Sequence, residues 1–331
     1  MATTPDLQLA ASVVARLRAR LRASVFGRDA VLDQVILALL ADGHVLLEDY
    51  PGSGKTTLAK ALGDSIIDDV PDDDIVAMRR IQFTPDLLPS DITGTTIFDP
   101  DQQRFFFRTG PLFAYVVLAD EINRTSPKVQ SALLEAMGEK QVTVDNHTRK
   151  LDELFFVIAT QNPLDLAGTF PLPVAQLDRF LFKIRMVPIH RDDERRLLDA
   201  LDAVRRGSDA PRVARQEILH ARQAIRTGVL LAPEIKDAMV DIAQALRSSP
   251  LVAQGVSTRA LVLLVPALQT RAVLQGRDHV TDDDLAELCT TVFAHRIQTA
   301  PGAPEAEEVV RRCCKPVIDK LARRLLRPGP R

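Results

Sequence analysis

Apolar positions along the chain change rhythm near its middle. Between about residues 30 and 190, nearly unbroken apolar runs alternate with stretches of helical periodicity; the runs are Val45-Leu46-Leu47, Val116-Val117-Leu118-Ala119 and Phe155-Phe156-Val157-Ile158-Ala159. Strands buried on both faces of a parallel sheet need such runs, and strand–helix alternation builds a doubly wound α/β layer. Beyond Pro188 helical spacing takes over, in segments beginning near Asp192, Gln216, Pro233, Thr258, Thr281 and Glu305, with no strand-like run of comparable quality. In Thr281-Asp282-Asp283-Asp284 a capping hydroxyl precedes acids that suit the positive end of a helix dipole. From Val14 to Leu21 arginine alternates with apolar residues, as in an amphipathic helix and unlike the continuous apolar segment of a signal peptide. The pattern divides the chain into an N-terminal helix (1–24), an α/β core with a parallel sheet between helices (25–189) and an all-α domain (190–331). Arg, Gly, Ser and Asp between Ala203 and Pro211 mark an exposed loop.

Composition narrows the functional classes. A hydrophobic fraction of 46% and a charged fraction of 26% exclude wholesale disorder. A net charge of −2 gives no global basic field, and the absence of Trp with 5% aromatics disfavours base stacking, so nucleic acid is not the expected partner. Cys289, Cys313 and Cys314 lack a metal-ligand spacing and fit a reducing compartment. No apolar stretch approaches the length of a membrane span, and a cytoplasmic location is expected. The histidines are scattered; His44 precedes a buried strand and is expected to be a satisfied side chain.

Candidate chemistry gathers in the first half. After the run at Val45 comes Asp49-Tyr50-Pro51-Gly52-Ser53-Gly54-Lys55-Thr56-Thr57 and then a helical segment. Glycines there let backbone N–H groups point at phosphate oxygens, and the helix adds its positive end. Pro51, Gly52, Ser53, Gly54, Lys55, Thr56 and Thr57 are thus candidates for binding ATP, with Lys55 on the β- and γ-phosphates and the Thr56 hydroxyl on Mg²⁺. A turn without a ligand would need neither the lysine nor two hydroxyls. Asp49 stands where the general pattern has its first glycine. Asp120 and Glu121 follow the run at Val116, at the carboxyl edge where ligands of open α/β sheets sit. Asp120 is placed for the Mg²⁺ shell and Glu121 for the attacking water, which makes hydrolysis the expectation. Asn162, after the run at Phe155, could help position that water, although Asn162-Pro163 is also a common turn starter.

Two arginines join the set. Arg179 sits near the end of a short helix after Pro173, where the dipole alone favours a cation by about 0.3–1 kcal/mol. Arg259 lies in the first turn of a helix, where the dipole disfavours it, so a contact outside that helix, with phosphate or a surface acid, would account for it.

In combination these residues resemble the MoxR group of AAA+ ATPases. The resemblance runs from Phe26-Gly27-Arg28 to the Thr281 helix through Leu47-Glu48-Asp49, Gln82-Phe83-Thr84-Pro85-Asp86, Ala119-Asp120-Glu121-Ile122-Asn123-Arg124, Gln130 to Met137, Ala159 to Pro163 and Leu172 to Phe180. An acid at position 49 is frequent in that family. The resemblance implies an AAA+ core and helical lid, with nucleotide held between neighbours in a ring, usually a hexamer. Asn162 matches sensor 1, Arg259 matches sensor 2, and Arg179 matches the arginine finger offered to the next subunit. Asp86 to Phe107 resembles the helix-2 insert and Gln141 to Leu151 the hairpin before sensor 1, both facing a pore or partner; no lysine-rich or aromatic pore loop is evident. Members resemble chaperone-type motors that mature, assemble or insert metal into client proteins, often with a separate protein carrying a von Willebrand factor A domain. Two other readings stay open: a nucleic-acid motor using Lys140, His147, Arg149 and Lys150 on the hairpin, and a non-hydrolysing module.

Overall fold

A computed structural model of the chain describes residues 5–48, 53–69, 75–162, 168–202 and 208–325. Helices α1 (Pro5–Ser24) and α2 (Asp29–Leu40) precede β1 (Val45–Glu48), and α3 (Lys55–Gly63) follows it. Next come β2 (Ile66–Ile67), β3 (Val76–Gln82), α4 (Pro89–Thr93) and a hairpin of β4 (Gly94–Asp99) and β5 (Arg104–Thr109). Then follow β6 (Ala114–Asp120), α5 (Pro127–Glu139), a hairpin of β7 (Gln141–Val144) and β8 (His147–Lys150), β9 (Phe156–Gln161), α6 (Val174–Leu177) and β10 (Phe182–Arg185). The second half carries α7 (Arg191–Asp199), β11 (Val213–Ala214), α8 (Arg215–Gly228), α9 (Pro233–Ser248), β12 (Val252–Gln254), α10 (Thr258–Leu274), α11 (Asp282–Phe293), β13 (Gln298–Thr299) and α12 (Ala306–Leu325). It is helical as expected, apart from those three short strands.

The sheet is five-stranded in the order β10-β1-β9-β6-β3, and every pairing is parallel. The three apolar runs form its middle, β1, β9 and β6, and their side chains alternate between two apolar layers. Val45, Leu47, Val116, Leu118, Phe156 and Ile158 face one cluster; Leu46, Val117, Ala119, Val157 and Ala159 face the other. The first cluster takes in α1, α2 and α3 and runs on into α8 to α12. The second takes in α5, Phe83, Ile92 and Phe180. Strands β3 and β10, at the two edges, carry exposed or half-buried charged residues such as Arg79, Arg80, Lys183 and Arg185, the usual composition of an edge.

Ion pairs join the two halves. Arg16 on α1 pairs with Glu217 on α8 at 2.6 Å, Arg215 with Asp152 at 2.9 Å, and Arg222 with Asp42 at 2.7 Å. Thr281 caps α11 as expected and Asp284 bonds back to its N–H, but Asp284 is also buried between Arg271 and Arg277, at 3.1 and 2.6 Å. Cys289 and Cys314 are buried, Cys313 is partly buried, and all three are free thiols. Among the described residues no helix is long and apolar enough to cross a membrane, and no group of three or more His, Cys, Asp and Glu could hold a metal ion. Much of the loop read between Ala203 and Pro211 lies outside the described residues.

His44 is the satisfied core side chain expected. It is 5% exposed, its Nδ1 accepts from Val157 N at 3.0 Å, and its Nε2 lies 3.2 Å from the Met137 carbonyl. Burial lowers its pKa from 6.5 to about 4. The unfolded chain therefore takes up this proton before the folded one, and stability from this group is complete above pH 6.5 and lost as pH falls toward 4. Urea unfolding at pH 7 and pH 5 should show a loss of about 2 kcal/mol that disappears in His44→Gln. An unchanged pH difference in the variant would assign the loss to other groups.

Candidate functional site

Parallel pairing brings the carboxyl ends of the strands to one edge, and the phosphate-loop candidates lead off from it. Ser53 and Gly54 precede α3, with Gly54 at φ +91°, a left-handed position where a Cβ would meet nothing within 4 Å among the described residues. Ser53 Oγ is buried with no hydrogen-bond partner among the described residues. An open glycine cradle beside an unsatisfied hydroxyl fits a ligand rich in acceptor oxygens. Lys55, Thr56 and Thr57 form the first turn of α3, with both threonines exposed. Pro51 and Gly52 lie outside the described residues. The Thr56 hydroxyl and the Asp120 carboxylate are hard oxygen donors of the kind Mg²⁺ prefers.

Asp120 and Glu121 are held by a network the sequence reading did not foresee. Thr160 Oγ1 donates to Asp120 Oδ1 at 2.7 Å and accepts from Glu121 N at 2.9 Å. Arg80 Nη2 bonds Asp120 Oδ2 at 2.7 Å and Gln82 Oε1 at 2.8 Å, while Gln82 Nε2 donates to Glu121 Oε2 at 2.8 Å. Arg124 adds a contact to Glu121 Oε2 at 3.4 Å. Glu121 sits in the left-handed region at φ 60°, ψ 50°, a conformation that costs a non-glycine residue about 1–3 kcal/mol and recurs at functional sites. Asn162 is buried one residue beyond β9, and Asn123 Nδ2 lies 3.5 Å from its carbonyl.

The two candidate arginines are elsewhere. Phe182 at the start of β10 pairs with Val45 at the start of β1. Arg179, just before β10, therefore lies beyond the amino edge of the sheet, opposite the edge where β1 ends at Glu48. Helix α5 runs back from the carboxyl edge, and Arg179 Nη1 donates to its Leu134 carbonyl. A Cβ built on Gly138 of the same helix would lie 3.5 Å from Arg179 Nη1 and 3.6 Å from Arg259 Nη2. Arg179 and Arg259 are thus brought together, on the edge away from this chain's own phosphate loop.

The insert also carries apolar surface. Exposed aromatics do exist: Phe98, Phe105 and Phe106 on the β4–β5 hairpin are 44%, 72% and 42% exposed, and the Phe98 and Phe105 rings pack 5.1 Å apart. Arg149 of the second hairpin stacks 3.8 Å over Phe107, which packs on Phe113, so the hairpin is anchored at its base with its aromatics outward.

Comparisons with known proteins place the chain in a family. Residues 44–182 match the "ATPase family associated with various cellular activities (AAA)", and residues 244–313 match an AAA lid domain. The chain is 46% identical over 284 residues to the uncharacterized protein YeaC of Bacillus subtilis, covering 83% of this chain and 85% of that one. It is 36% identical over 297 residues to the chaperone MoxR1 of Mycobacterium tuberculosis, covering 82% and 72%. The chain belongs to the MoxR family of AAA+ ATPases. A solved structure, that of a candidate ATPase from Cytophaga hutchinsonii, superposes with a TM-score of 0.81 at 31% identity and 96% coverage of both chains. The MoxR fold, an α/β ATPase core with a helical lid, is the architecture expected from the sequence.

Thr160→Val tests the network. It strands the Glu121 N–H and one Asp120 oxygen, so urea unfolding should show a loss of about 1–3 kcal/mol. Steady-state ATP turnover should fall with it; unchanged turnover would show that Thr160 does not hold Glu121.

Proposed function

We propose that this chain hydrolyses ATP in a ring, usually six-membered in its family, and uses the cycle to drive maturation, assembly or metal insertion of client proteins. One observation carries the split-site part of this reading: Arg179 and Arg259 lie together on the amino edge of the sheet, while Lys55, Asp120, Glu121 and Asn162 belong to the carboxyl edge. No single chain then closes its own site, and a head-to-tail neighbour supplies the missing cations.

In this site Pro51 to Thr57 cradle the phosphates, with Lys55 on the β- and γ-phosphates. Thr56 and Asp120 would hold Mg²⁺, which neutralises phosphate charge when bound. Glu121, tethered by Gln82 and Thr160, orients the attacking water and takes its proton. Asn162 positions that water. Arg179 and Arg259 stabilise charge on the transferring phosphoryl group of the neighbour's ATP.

Protein clients are favoured over nucleic acid by the hairpins. Arg149, a residue the nucleic-acid reading depends on, is stacked on Phe107, while Phe98, Phe105 and Phe106 present apolar surface. The name chaperone borne by the Mycobacterium tuberculosis relative supports the same direction. A separate protein with a von Willebrand factor A domain is the proposed co-factor protein, and the cytoplasm the proposed site of action.

Glu121→Gln should bind ATP with near wild-type affinity while hydrolysis falls by orders of magnitude, and in ATP it should retain protein clients. Unaffected hydrolysis would remove Glu121 from its role, and a DNA- or RNA-stimulated rate would favour the motor. Arg179→Ala and Lys55→Ala should each be inactive alone, and mixing them should restore part of the activity. No recovery would contradict a site shared between subunits.

A further inference from the structure

One cluster next to Arg179 has no part in the chemistry described so far. Asp178 presents both carboxylate oxygens to the lid: Arg296 Nε bonds Oδ1 at 2.9 Å, and Ser257 Oγ donates to Oδ2 at 2.7 Å. Ser257 is also the N-cap of α10, accepting from Ala260 N at 3.2 Å, and Arg259 lies two residues beyond it. Arg296 is 2% exposed. Its remaining donors are spent on the carbonyls of Asp178 at 3.3 Å, Leu181 at 3.2 Å, Phe180 and Val292. His295 Nε2 adds a contact to the Phe180 carbonyl at 3.0 Å.

A guanidinium buried this deeply gains little net stability from its partners, because desolvation offsets most of the attraction. A well-packed apolar pair would hold the lid as firmly. What the ionic arrangement adds is direction: it fixes the backbone on both sides of Arg179 to the lid, and through Ser257 it fixes the start of the helix that carries Arg259. The two arginines come from segments about 80 residues apart, yet each has a guanidinium nitrogen within 3.6 Å of a Cβ built on Gly138. Asp178 belongs to the Arg179 segment, and its carboxylate bonds Ser257 at the start of the helix that carries Arg259.

We propose that Asp178, clamped by Arg296 and Ser257, is a positioning residue that sets Arg179 and Arg259 as one unit for the neighbouring subunit's ATP. This rests on the split-site reading above. A movement of the lid is then felt at Arg179 through Asp178. The carboxylate touches no substrate, so its effect appears in the neighbour's turnover and leaves its own chain's nucleotide binding intact.

The test uses full-length chains and complementation. Asp178→Asn keeps the side-chain shape but replaces one acceptor with a donor facing Arg296 or Ser257. Turnover should fall about 10–100-fold, the scale expected when a reacting group is misplaced by about an ångström. ATP affinity should stay within about two-fold, because Asp178 lies on the edge opposite its own phosphate loop. Mixed with Lys55→Ala chains, which carry an intact Asp178, the variant should recover activity to the level reached by the Arg179→Ala and Lys55→Ala mixture. A loss of fold would not be repaired in this way. Ser257→Asp is a second variant: it keeps an acceptor for capping α10 but sets a like charge against Asp178, and it should behave the same. Recovery with Arg179→Ala but with neither Asp178→Asn nor Ser257→Asp overturns the positioning role, as does wild-type turnover in Asp178→Asn alone. No recovery in any mixture removes the split-site reading and this inference with it.

Discussion

Parallel pairing is the constraint from which the rest of this molecule follows. In a parallel sheet every strand delivers its carboxyl end to the same edge, so the residues leaving β1, β6 and β9 converge whatever their separation in sequence. That convergence gathers Glu48 with Asp120, Glu121 and Asn162. The same rule sends residues that precede a strand to the far edge. Arg179 precedes β10, and no local rearrangement of its side chain returns it to the phosphate loop of its own chain.

Helix α5 and the lid turn that separation into a second surface. Running back across the sheet, α5 offers its Leu134 carbonyl to Arg179 and sets Gly138 beside both arginines. Buried or half-buried ion pairs at Asp42, Asp152 and Asp178 then tie lid helices to strand ends of the core. Such pairs contribute geometry more than net stability. They make the lid and the amino edge of the sheet one connected body, which is what a motor needs if closure in one subunit is to be felt in the next.

The interior of the fold was legible in the sequence for a physical reason. β1, β6 and β9 are covered on both faces, so they are written as unbroken apolar runs. β3 and β10 are edge strands: Val76 to Gln82 and Phe182 to Arg185 mix charges with apolar residues and give no such signal. The site was legible to the extent that its residues lie in local motifs. Thr160, Gln82 and Arg80 were missed because their value lies in lateral register, with Gln82 beside Asp120 across two strands. Thr160 looked like the polar end of an apolar run. The meeting of Arg179 with Arg259 is likewise set by how the lid folds back. The exposed phenylalanines of the insert carry no periodic signal of their own: of Phe105, Phe106 and Phe107, the hairpin leaves the first two outward.

The central claim is that one chain holds only half of a hydrolytic site. ATP turnover per chain, measured across a dilution series alongside sedimentation, tests it most directly. Turnover per chain should be close to zero where the protein sediments as a monomer and should rise to a plateau as larger species form. Full turnover per chain in the dilute monomer would contradict the account.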